Sequence, residues 1–453
     1  MQKLFGTDGI RGQANTFPMD GETALLVGRA IARFFKEKRK LKPKLSKIVI
    51  GQDTRISGDM IARAVAAGIC SAGVDVVLLG VLPTPGVAYM VGKSDAMAGI
   101  VISASHNPFA DNGIKVFDEK GFKLSDEDEA QIEALMNDQH APLIPPELIG
   151  RVCASNNANE VYINFLQQAA RELSLQGLTI VLDCSNGATY QTAPVLFENL
   201  GANVVALFCS PDGVNINANC GSQYPQQLSR EVVVQGAHLG LAFDGDGDRL
   251  IAVDETGNIL TGDQIMVICA QYLLESNLLK NKAVVSTVMS NLGFHQALKR
   301  LNITSHITPV GDRYVIQKML AEDAVLGGED SGHMIFRDVH STGDGLMAAL
   351  RLLAAMQAAG QPLSMLTRLM TVYPQVLVNV DVKAKPAIET IPEIMAVIQK
   401  VENALGDEGR VLVRYSGTQK KCRVMVEGPT MEITSASCQE IVDVVRSVLG
   451  SEK

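Results

Sequence analysis

Three closely spaced carboxylates follow an apolar, strand-like run in the middle of the chain. Asp244, Asp246 and Asp248 alternate with glycines directly after this run. Carboxylates this close repel one another unless a cation neutralises them, and the glycines permit the tight backbone that turns all three inward. Oxygen-only ligands suit Mg²⁺ or Ca²⁺ better than Zn²⁺. The spacing therefore predicts a loop that binds a divalent cation.

Two other interpretations compete for the aspartate loop, a calcium-binding EF-hand and a solvated acidic turn. Glu255 stands at the twelfth position, as an EF-hand requires, but Arg249 occupies the sixth position, where that loop needs glycine. The following residues, Leu250–Val253, are typical of a strand where the EF-hand needs a helix. These departures favour a magnesium loop.

A serine follows a second apolar run. Ser105 lies just after the run that ends at Ser103, in a turn stiffened by Pro108, and Lys115 comes ten residues later. Such a serine is a phosphoryl acceptor, an acyl nucleophile or an ordinary turn residue. The aspartate loop in an equivalent position favours phosphoryl transfer, because that chemistry combines a metal with a hydroxyl group.

Two further loops carry groups suited to a phosphorylated sugar. Glu329, Ser331 and His333 alternate after a third apolar run, where they are suited to sugar hydroxyls and proton transfer. The turn 414–418 combines a guanidinium, two hydroxyls and an accessible backbone, which suits a phosphate. A capped loop with a satisfied histidine and a solvated hairpin turn are the respective alternatives.

The elements that must position these loops recur three times. Each unit has three strand-like runs separated by helical patterns, which predicts mainly parallel pairing. The last run of each unit leads into a polar loop, and ligands bind beyond the carboxyl ends of parallel strands. Three domains facing one cleft are therefore expected. The predicted strands are 47–51, 76–80 and 98–103 in the first unit, 179–183, 203–206 and 239–243 in the second, and 283–287, 303–308 and 324–327 in the third.

The C-terminal part of the chain has a different pattern. Strands are predicted at 376–382, 410–413 and 422–426, with helices at about 387–405 and 433–449. This indicates a smaller α+β domain. The expected domains are 1–155, 156–257, 258–372 and 373–453, the first three being α/β.

Length and composition bound the remaining possibilities. At 453 residues the chain is too long for one core, and its net charge of −9 does not favour a nucleic-acid surface or an anionic membrane. No secretory signal or membrane-spanning run is apparent, and the eight cysteines lack metal-site spacing. We therefore expect reduced thiols and a cytoplasmic protein that binds neither nucleic acid nor membrane.

The motifs resemble those of the α-D-phosphohexomutases along the whole chain. The resemblance implies four domains around a central cleft, the first three of mixed α/β topology. Within the family, the opening motif 5–12 and three further motifs (213–217, 309–313 and 423–428) most resemble those of bacterial enzymes that act on glucosamine phosphates. The five family motifs are Phe5–Gly12, Ser103–Pro108, Asp244–Arg249, Gly328–His333 and Arg414–Thr418.

The resemblance implies a phosphoserine mechanism. Ser105 carries the phosphoryl group and lies with Asp244, Asp246 and Asp248 around Mg²⁺. The phosphoryl group passes to glucosamine 6-phosphate, and the resulting 1,6-bisphosphate reorients and returns its other phosphoryl group, which leaves glucosamine 1-phosphate. A hexose 1,6-bisphosphate is therefore expected as intermediate and activator. A homodimer is compatible with this prediction.

The resemblance also implies roles for the remaining site residues. Arg11, Lys115 and His333 match the candidates for proton transfer, and Glu329 and Ser331 match residues that hold the sugar hydroxyls. The residues predicted to hold the non-reacting phosphate or another part of the substrate are Arg249, Arg414, Ser416, Gly417, Thr418 and Arg423.

Two departures from the family pattern bear on substrate preference. Asp330 stands where the glucosamine branch usually has Gln, which adds a negative charge beside Glu329, and 419–421 is Gln-Lys-Lys where Glu-Pro plus an apolar residue is usual. The alternatives are a sister enzyme acting on mannose or glucose phosphates (a phosphomannomutase/phosphoglucomutase), a catalytically silent relative, and a magnesium phosphatase. A silent relative would have lost Ser105 or an aspartate, and a phosphatase would not explain Ser105.

Overall fold

In the computed structural model the chain forms four β-sheets over the residues that it describes, 3–6, 8–39, 47–138, 144–416 and 420–450. These divide into two compact units. One comprises Met1–Met289 with Asn302–Leu369, and the other comprises Ser290–Leu301 with Met370–Lys453. The first unit holds three of the sheets and the second holds the fourth.

The first sheet has seven strands in the order β1-β2-β6-β5-β3-β4-β7. Its central strands are buried on both faces, as Ile48 and Ile100 on one face and Val49 on the other show with no exposure, which explains their continuous apolar runs. The strands are β1 Phe5–Gly6, β2 Gly9–Gln13, β3 Lys47–Gln52, β4 Asp75–Val81, β5 Ala98–Ile102, β6 Asp111–Phe117 and β7 Val152–Ala154. The helices are α1 Gly21–Arg39, α2 Gly58–Ser71, α3 Thr84–Lys93 and α4 Asp126–Met136.

The second sheet has five strands in the order β12-β11-β10-β8-β9. Its strands are β8 Thr179–Asp183, β9 Asn203–Leu207, β10 Leu239–Phe243, β11 Leu250–Asp254 and β12 Ile259–Leu260. The helices of this part are α5 Ala158–Ala169, α6 Thr192–Asn199 and α7 Gln226–Gln235.

The third sheet has four strands in the order β14-β13-β15-β16. Its strands are β13 Ala283–Thr287, β14 Thr304–Thr308, β15 Leu326–Gly328 and β16 Met334–Phe336. The helices in this stretch of the chain are α8 Gly262–Glu275, α9 Leu292–Arg300, α10 Asp312–Ala321, α11 Gly345–Ala359 and α12 Leu363–Leu366. Of these, α9 belongs to the second compact unit.

One strand arrangement is repeated in the first three sheets. The three strands predicted for each unit pair in parallel, with the first strand between the other two: β5-β3-β4, β10-β8-β9 and β15-β13-β14. The predicted parallel pairing is therefore confirmed. Each third strand then runs through its polar loop into an antiparallel strand (β6, β11 or β16). A loop this short cannot make the crossover that a parallel strand needs.

The second unit contains an antiparallel sheet in the order β17-β19-β18. Two helices accompany this sheet, and they share an apolar core with it. The predicted α+β composition of this part is confirmed, although the first helix begins only at Pro392, because proline is well suited to the first helical turn. The elements are β17 Gln375–Asp381, α13 Pro392–Leu405, β18 Arg410–Tyr415, β19 Lys421–Glu427 and α14 Met431–Leu449.

Among the described residues, no helix combines the length and the apolar character needed to cross a bilayer. The three domain boundaries given above remain predictions.

Candidate active site

Ser105 lies in the loop between β5 and β6 with its hydroxyl directed at the aspartate loop of the second sheet. Its Oγ donates a hydrogen bond of 2.6 Å to Asp244 Oδ2 and lies 3.3 Å from His106 Nδ1. The residue is 1% exposed and has a φ of 54°, a left-handed conformation that is uncommon for a residue other than glycine. The fold thus joins two loops that are 139 residues apart in the sequence.

Asp244, Asp246 and Asp248 converge as the sequence predicted. One carboxylate oxygen from each lies within 4.8 Å of the others, and all three residues are buried. Asp246 Oδ1 is buried and accepts no hydrogen bond from the described residues. Burial and the two neighbouring carboxylates raise the pKa of Asp244 well above its usual range. An oxygen-only donor set with an unsatisfied buried oxygen fits a hard divalent cation.

Lys115 supplies positive charge to the aspartate loop from β6. Its Nζ lies 2.7 Å from Asp246 Oδ2, 3.5 Å from Asp248 Oδ2 and 3.3 Å from Asp8 Oδ2, at 1% exposure. Burial alone would lower the pKa of Lys115, but the negative charges of Asp246 and Asp8 outweigh this effect and hold the pKa above its ordinary value. Lys115 is therefore a fixed cation beside the aspartates.

His333 connects the third sheet to the same cluster. Its Nδ1 lies 3.5 Å from Asp248 Oδ1, and its Nε2 lies 3.5 Å from Asp312 Oδ2. Burial alone would lower the pKa of His333, but the negative charge of Asp248 raises it above the ordinary value. Burial alone would raise the pKa of Asp248, but Lys115 and His333 hold it below the ordinary value. Arg249 and His333 also form an antiparallel bridge between the two loops.

Arg11 and Arg249 border the cluster, and both keep part of the side chain accessible. Arg11 on β2 forms an ion pair with Asp8, and its side chain is 28% exposed. Arg249 Nε lies 3.8 Å from Asp248 Oδ1, with 19% of the side chain exposed. Both guanidinium groups therefore have surface left for a ligand near the aspartates.

The loop between β15 and β16, which the sequence predicts to bind the sugar, holds Glu329 and Ser331. Glu329 Oε1 accepts a hydrogen bond of 3.0 Å from the Gly311 N–H, which orients the carboxylate. Ser331 Oγ is buried and has no hydrogen-bond partner in the described part of the chain. The hydroxyl is therefore available to a ligand.

Asp330, which departs from the family pattern, is directed elsewhere. Its Oδ1 accepts a hydrogen bond of 3.3 Å from the Asp263 N–H, in the first turn of α8. The N-terminus of a helix favours a negative charge. The N-terminus of α8 therefore stabilises the carboxylate of Asp330. This contact offsets the negative charge that the sequence predicted beside Glu329.

The predicted phosphate turn belongs to the second unit. Arg414 on β18 stands opposite Arg423 on β19, and burial together with Arg423 lowers the pKa of Arg414. The Nε of Arg423 is buried without a hydrogen-bond partner among the described residues. Ser416 is 3% exposed, and its carbonyl oxygen accepts a hydrogen bond of 2.6 Å from Lys385 Nζ. Gly417 and Thr418 lie outside the described residues, as does Gln419.

Several charged residues of the site were not predicted. Lys123 forms ion pairs with both Asp8 and Asp312, and so connects the segment after β6 to the first turn of α10. Asp8 and Asp312 lie inside the motifs 5–12 and 309–313, so membership of a motif was the available signal for them. Lys123 carries no such signal, and only its ion pairs in the folded chain identify it.

Comparison with known proteins assigns the family. Four domain-family profiles match the chain in order, all described as phosphoglucomutase/phosphomannomutase. Their descriptions are alpha/beta/alpha domain I at residues 2–142, alpha/beta/alpha domain II at 160–257, alpha/beta/alpha domain III at 261–373, and the C-terminal domain at 377–444.

Two named relatives match over nearly their full length. The chain is 55% identical over 453 residues to a phosphoglucosamine mutase of Syntrophus aciditrophicus, with 99% of this chain and 100% of that protein covered. It is 50% identical over 452 residues to a phosphoglucosamine mutase of Myxococcus xanthus, with 99% and 98% covered.

Solved structures agree with the fold. A phosphoglucomutase/phosphomannomutase family protein of Burkholderia thailandensis superposes with a TM-score of 0.80 at 23% identity, covering 99% of this chain and 98% of that one. The N-acetylphosphoglucosamine mutase of Aspergillus fumigatus, solved with GlcNAc-6P and magnesium, gives a TM-score of 0.69 at 18% identity, covering 98% and 95%. The four-domain prediction is confirmed, and the chain belongs to the phosphoglucomutase/phosphomannomutase family of α-D-phosphohexomutases.

Proposed function

We propose that this chain interconverts glucosamine 6-phosphate and glucosamine 1-phosphate through a phosphoserine at Ser105. The observation that carries the proposal is the contact of 2.6 Å between Ser105 Oγ and Asp244, inside a buried aspartate cluster beside Lys115. A hydroxyl that contacts a carboxylate cluster containing a fixed cation is suited to accepting and releasing a phosphoryl group. The names of the relatives support glucosamine phosphate as the substrate.

Asp244, Asp246 and Asp248 would hold Mg²⁺, with the phosphorylated Ser105 as a further ligand. The unsatisfied Oδ1 of Asp246 and the all-oxygen donor set support this assignment. When bound, the ion supplies positive charge that stabilises the moving phosphoryl group. Ser105 and the three aspartates approach one another through packing of the first and second sheets, so the chain's own fold positions the ligands.

The chain's own residues then perform the transfer. The bond between phosphorus and Ser105 Oγ breaks as a sugar hydroxyl oxygen bonds to phosphorus. The sugar hydroxyl gives its proton to a basic group of the site, and Ser105 Oγ takes up a proton as it leaves, which restores the serine hydroxyl. We assign the exchange of this proton to the imidazole of His333, and we place Lys115 and Arg11 near the proton transfer as cations. Because Lys115 is held as a cation by Asp246 and Asp8, it also balances the charge that the phosphoryl group carries.

The remaining assignments concern the substrate. Glu329 and Ser331 would hold the sugar hydroxyls, and Arg249 would contact the substrate beside the aspartates. The non-reacting phosphate would bind to the turn of the second unit. The cross-strand pair Arg414 and Arg423 supports this, because an anion relieves the repulsion between two adjacent guanidinium groups. The residues of the proposed phosphate site are Arg414, Ser416, Gly417, Thr418 and Arg423.

Further parts of the proposal follow from the same mechanism. A hexose 1,6-bisphosphate would serve as intermediate and as the donor that first phosphorylates Ser105. We further propose a cytoplasmic enzyme, the boundaries near 155, 257 and 372, and a homodimer as a state to be tested.

A phosphomannomutase/phosphoglucomutase activity is the second candidate, because all four family descriptions carry those names. The main sequence argument for it was the extra charge of Asp330. That argument is weakened by the contact of Asp330 with the first turn of α8.

A mutase assay with Mg²⁺ and a trace of hexose 1,6-bisphosphate tests the proposal. It compares kcat/KM for glucosamine 6-phosphate with the values for glucose and mannose phosphates, with Ser105→Ala as the control. A preference for the amino sugar that disappears in the control supports both substrate and mechanism. A preference for a neutral sugar overturns the substrate, and undiminished activity of Ser105→Ala overturns the mechanism.

A further inference from the structure

The loop between β5 and β6, which carries Ser105, is held by residues that have no assigned role in the candidate site. Ser105 has a φ of 54°, and a left-handed conformation costs a residue with a side chain on the order of 1–2 kcal/mol. Such a conformation persists only where surrounding contacts enforce it. The groups that enforce it therefore control where the serine hydroxyl lies.

The guanidinium group of Arg55 binds the backbone carbonyl groups of this loop. Its side chain is completely buried, and its Nε lies 2.8 Å from Asp53 Oδ2. A guanidinium has five N–H donors in a fixed plane, so one side chain can gather several carbonyl oxygens. The carbonyl oxygens that accept from Arg55 are those of Ser105 at 2.9 Å, Asn107 at 2.8 Å, Asp111 at 2.9 Å, and Pro108.

Asn217 binds the same loop from the second sheet's side. Its Nδ2 donates to the Ser105 carbonyl at 2.9 Å and to the Asn107 carbonyl at 3.0 Å. These two carbonyls are also the ones that Arg55 Nη2 contacts, so each accepts from two side chains. Asn217 is 8% exposed, and its own N–H donates to the Ser185 carbonyl, which fixes it to the second sheet.

The N–H side of Ser105 is fixed as well. Ser105 N donates to Ser103 Oγ at 2.9 Å, and Ser103 Oγ donates to Asp53 Oδ2 at 2.6 Å. The aspartate loop also packs directly on this backbone, since a Cβ on Gly245 would lie 2.6 Å from the Ser105 carbonyl oxygen. Both ends of the residue are therefore held, and Oγ is left to face Asp244.

We propose that Arg55 and Asn217 are positioning residues for the reacting serine: they hold the Ser105 backbone so that its oxygen stays at the aspartate loop in both phosphoryl transfers. The inference rests on the proposed function. Neither side chain belongs to the sugar or phosphate loops. Their loss is expected to slow transfer without weakening substrate binding, because misplacing a reacting atom by about 1 Å costs up to about a hundredfold in rate.

The test uses Asn217→Gly in the full chain. Asn217 has a φ of 57°, so glycine keeps the backbone and removes only the amide. Asn219 offers a matched control, because it has a φ of 55° and is exposed. Arg55→Lys is the second variant, since it keeps the charge beside Asp53 but lacks the planar fork that reaches several carbonyls.

Three quantities are measured: kcat and KM for the preferred hexose phosphate, the fraction of phosphorylated Ser105 by intact mass after incubation with hexose 1,6-bisphosphate, and Tm. We expect kcat of Asn217→Gly to fall at least about tenfold with KM changed less than about twofold. Asn219→Gly should match the wild type. Arg55→Lys should show the same split between kcat and KM.

Two outcomes overturn the inference. One is equal kcat in Asn217→Gly and Asn219→Gly, and the other is a rise in KM that accounts for the loss of activity. If the wild-type chain itself shows no mutase activity and no phosphorylation of Ser105, the proposed function fails instead. The two failures are thus distinguishable by the wild-type measurement alone.

Discussion

The aspartate cluster in the first unit and the arginine pair in the second unit are both strongly charged, but they combine charge in different ways. Lys115 and His333 lie beside Asp246 and Asp248. In the second unit, Arg414 stands opposite Arg423, and this neighbour contributes to a lowered pKa of Arg414. The aspartate cluster contains both negative and positive groups, whereas the arginine pair places two positive groups side by side.

This difference indicates two ways of preparing for a phosphorylated ligand. Unlike charges stabilise one another and hold the reacting serine and the aspartates in place before substrate arrives. Like charges on neighbouring strands repel, and an anion that bridges them removes the repulsion. We therefore expect substitutions in the cluster to lower kcat and substitutions in the arginine pair to raise KM.

Ser105→Ala is the most severe way to test the cluster. Removal of the phosphoryl acceptor is expected to lower kcat by at least about a thousandfold, because nothing else replaces the nucleophile. Mass spectrometry should find no phosphorylation after incubation with a hexose 1,6-bisphosphate. An unchanged Tm serves as the control for folding. Phosphorylation at another residue with retained turnover would contradict the assignment.

Asp246→Asn tests whether the cluster needs its full negative charge. The substitution keeps the shape but weakens both metal binding and the contact with Lys115. Because a bound cation supplies several kcal/mol of charge stabilisation, kcat should fall by about a hundredfold or more at fixed Mg²⁺. Magnesium titration of activity and of Tm measures the effect. Chelation of metal should inactivate the wild type reversibly, and activity that persists through exhaustive chelation would contradict a metal-dependent cluster.

Arg414→Ala tests the arginine pair. Loss of charge-assisted hydrogen bonds to a phosphate, at about 1.5–3 kcal/mol, should raise KM by roughly 10- to 100-fold. Steady-state kinetics check this expectation, and thermal unfolding serves as the control for folding.

Arg410 supplies the matched control on the same strand. Its guanidinium binds Glu427, which is completely buried, at 3.0 Å and 3.2 Å. Arg410→Ala should therefore lower the free energy of unfolding by about 2 kcal/mol while leaving KM unchanged. If Arg410→Ala raised KM as much as Arg414→Ala, the phosphate site would not be specific to the arginine pair.

Asp330→Gln is expected to have the smallest effect. Since the carboxylate contacts the first turn of α8, its replacement should cost at most about 1 kcal/mol of stability through the helix dipole. The ratio of kcat/KM for glucosamine and glucose phosphates should not change. A shift of that ratio by about tenfold or more would show that Asp330 acts on the sugar after all.

The residues of the candidate site were predictable where one loop contains the whole chemical signal. The alternation of aspartates in 244–248 indicates a metal loop because the spacing itself brings carboxylates together. The nine core strands of the first three sheets were predictable because buried parallel strands have continuous apolar runs. Strands such as β2 were missed, because they are short and only partly buried, as Arg11 on β2 illustrates.

The supporting contacts were not predictable, because each joins residues far apart in the sequence. Asn217 and Ser105 are separated by 112 residues, and Arg55 and Ser105 by 50. Neither pair leaves a local pattern in the sequence. The direction of Asp330 was likewise open, because either the sugar side or the N-terminus of α8 was compatible with its position in the loop.

The sequence alone determined the reactive groups, the order of the loops and the family. These depend on residue types at short spacing, and a loop keeps its chemistry in any packing of the domains. Only the tertiary structure decided that Ser105 adopts a left-handed conformation, that Lys115 is a fixed cation, and that Arg55 and Asn217 hold the serine. The reason is physical: ion-pair and hydrogen-bond energies depend on distance and burial, and packing of the sheets sets both.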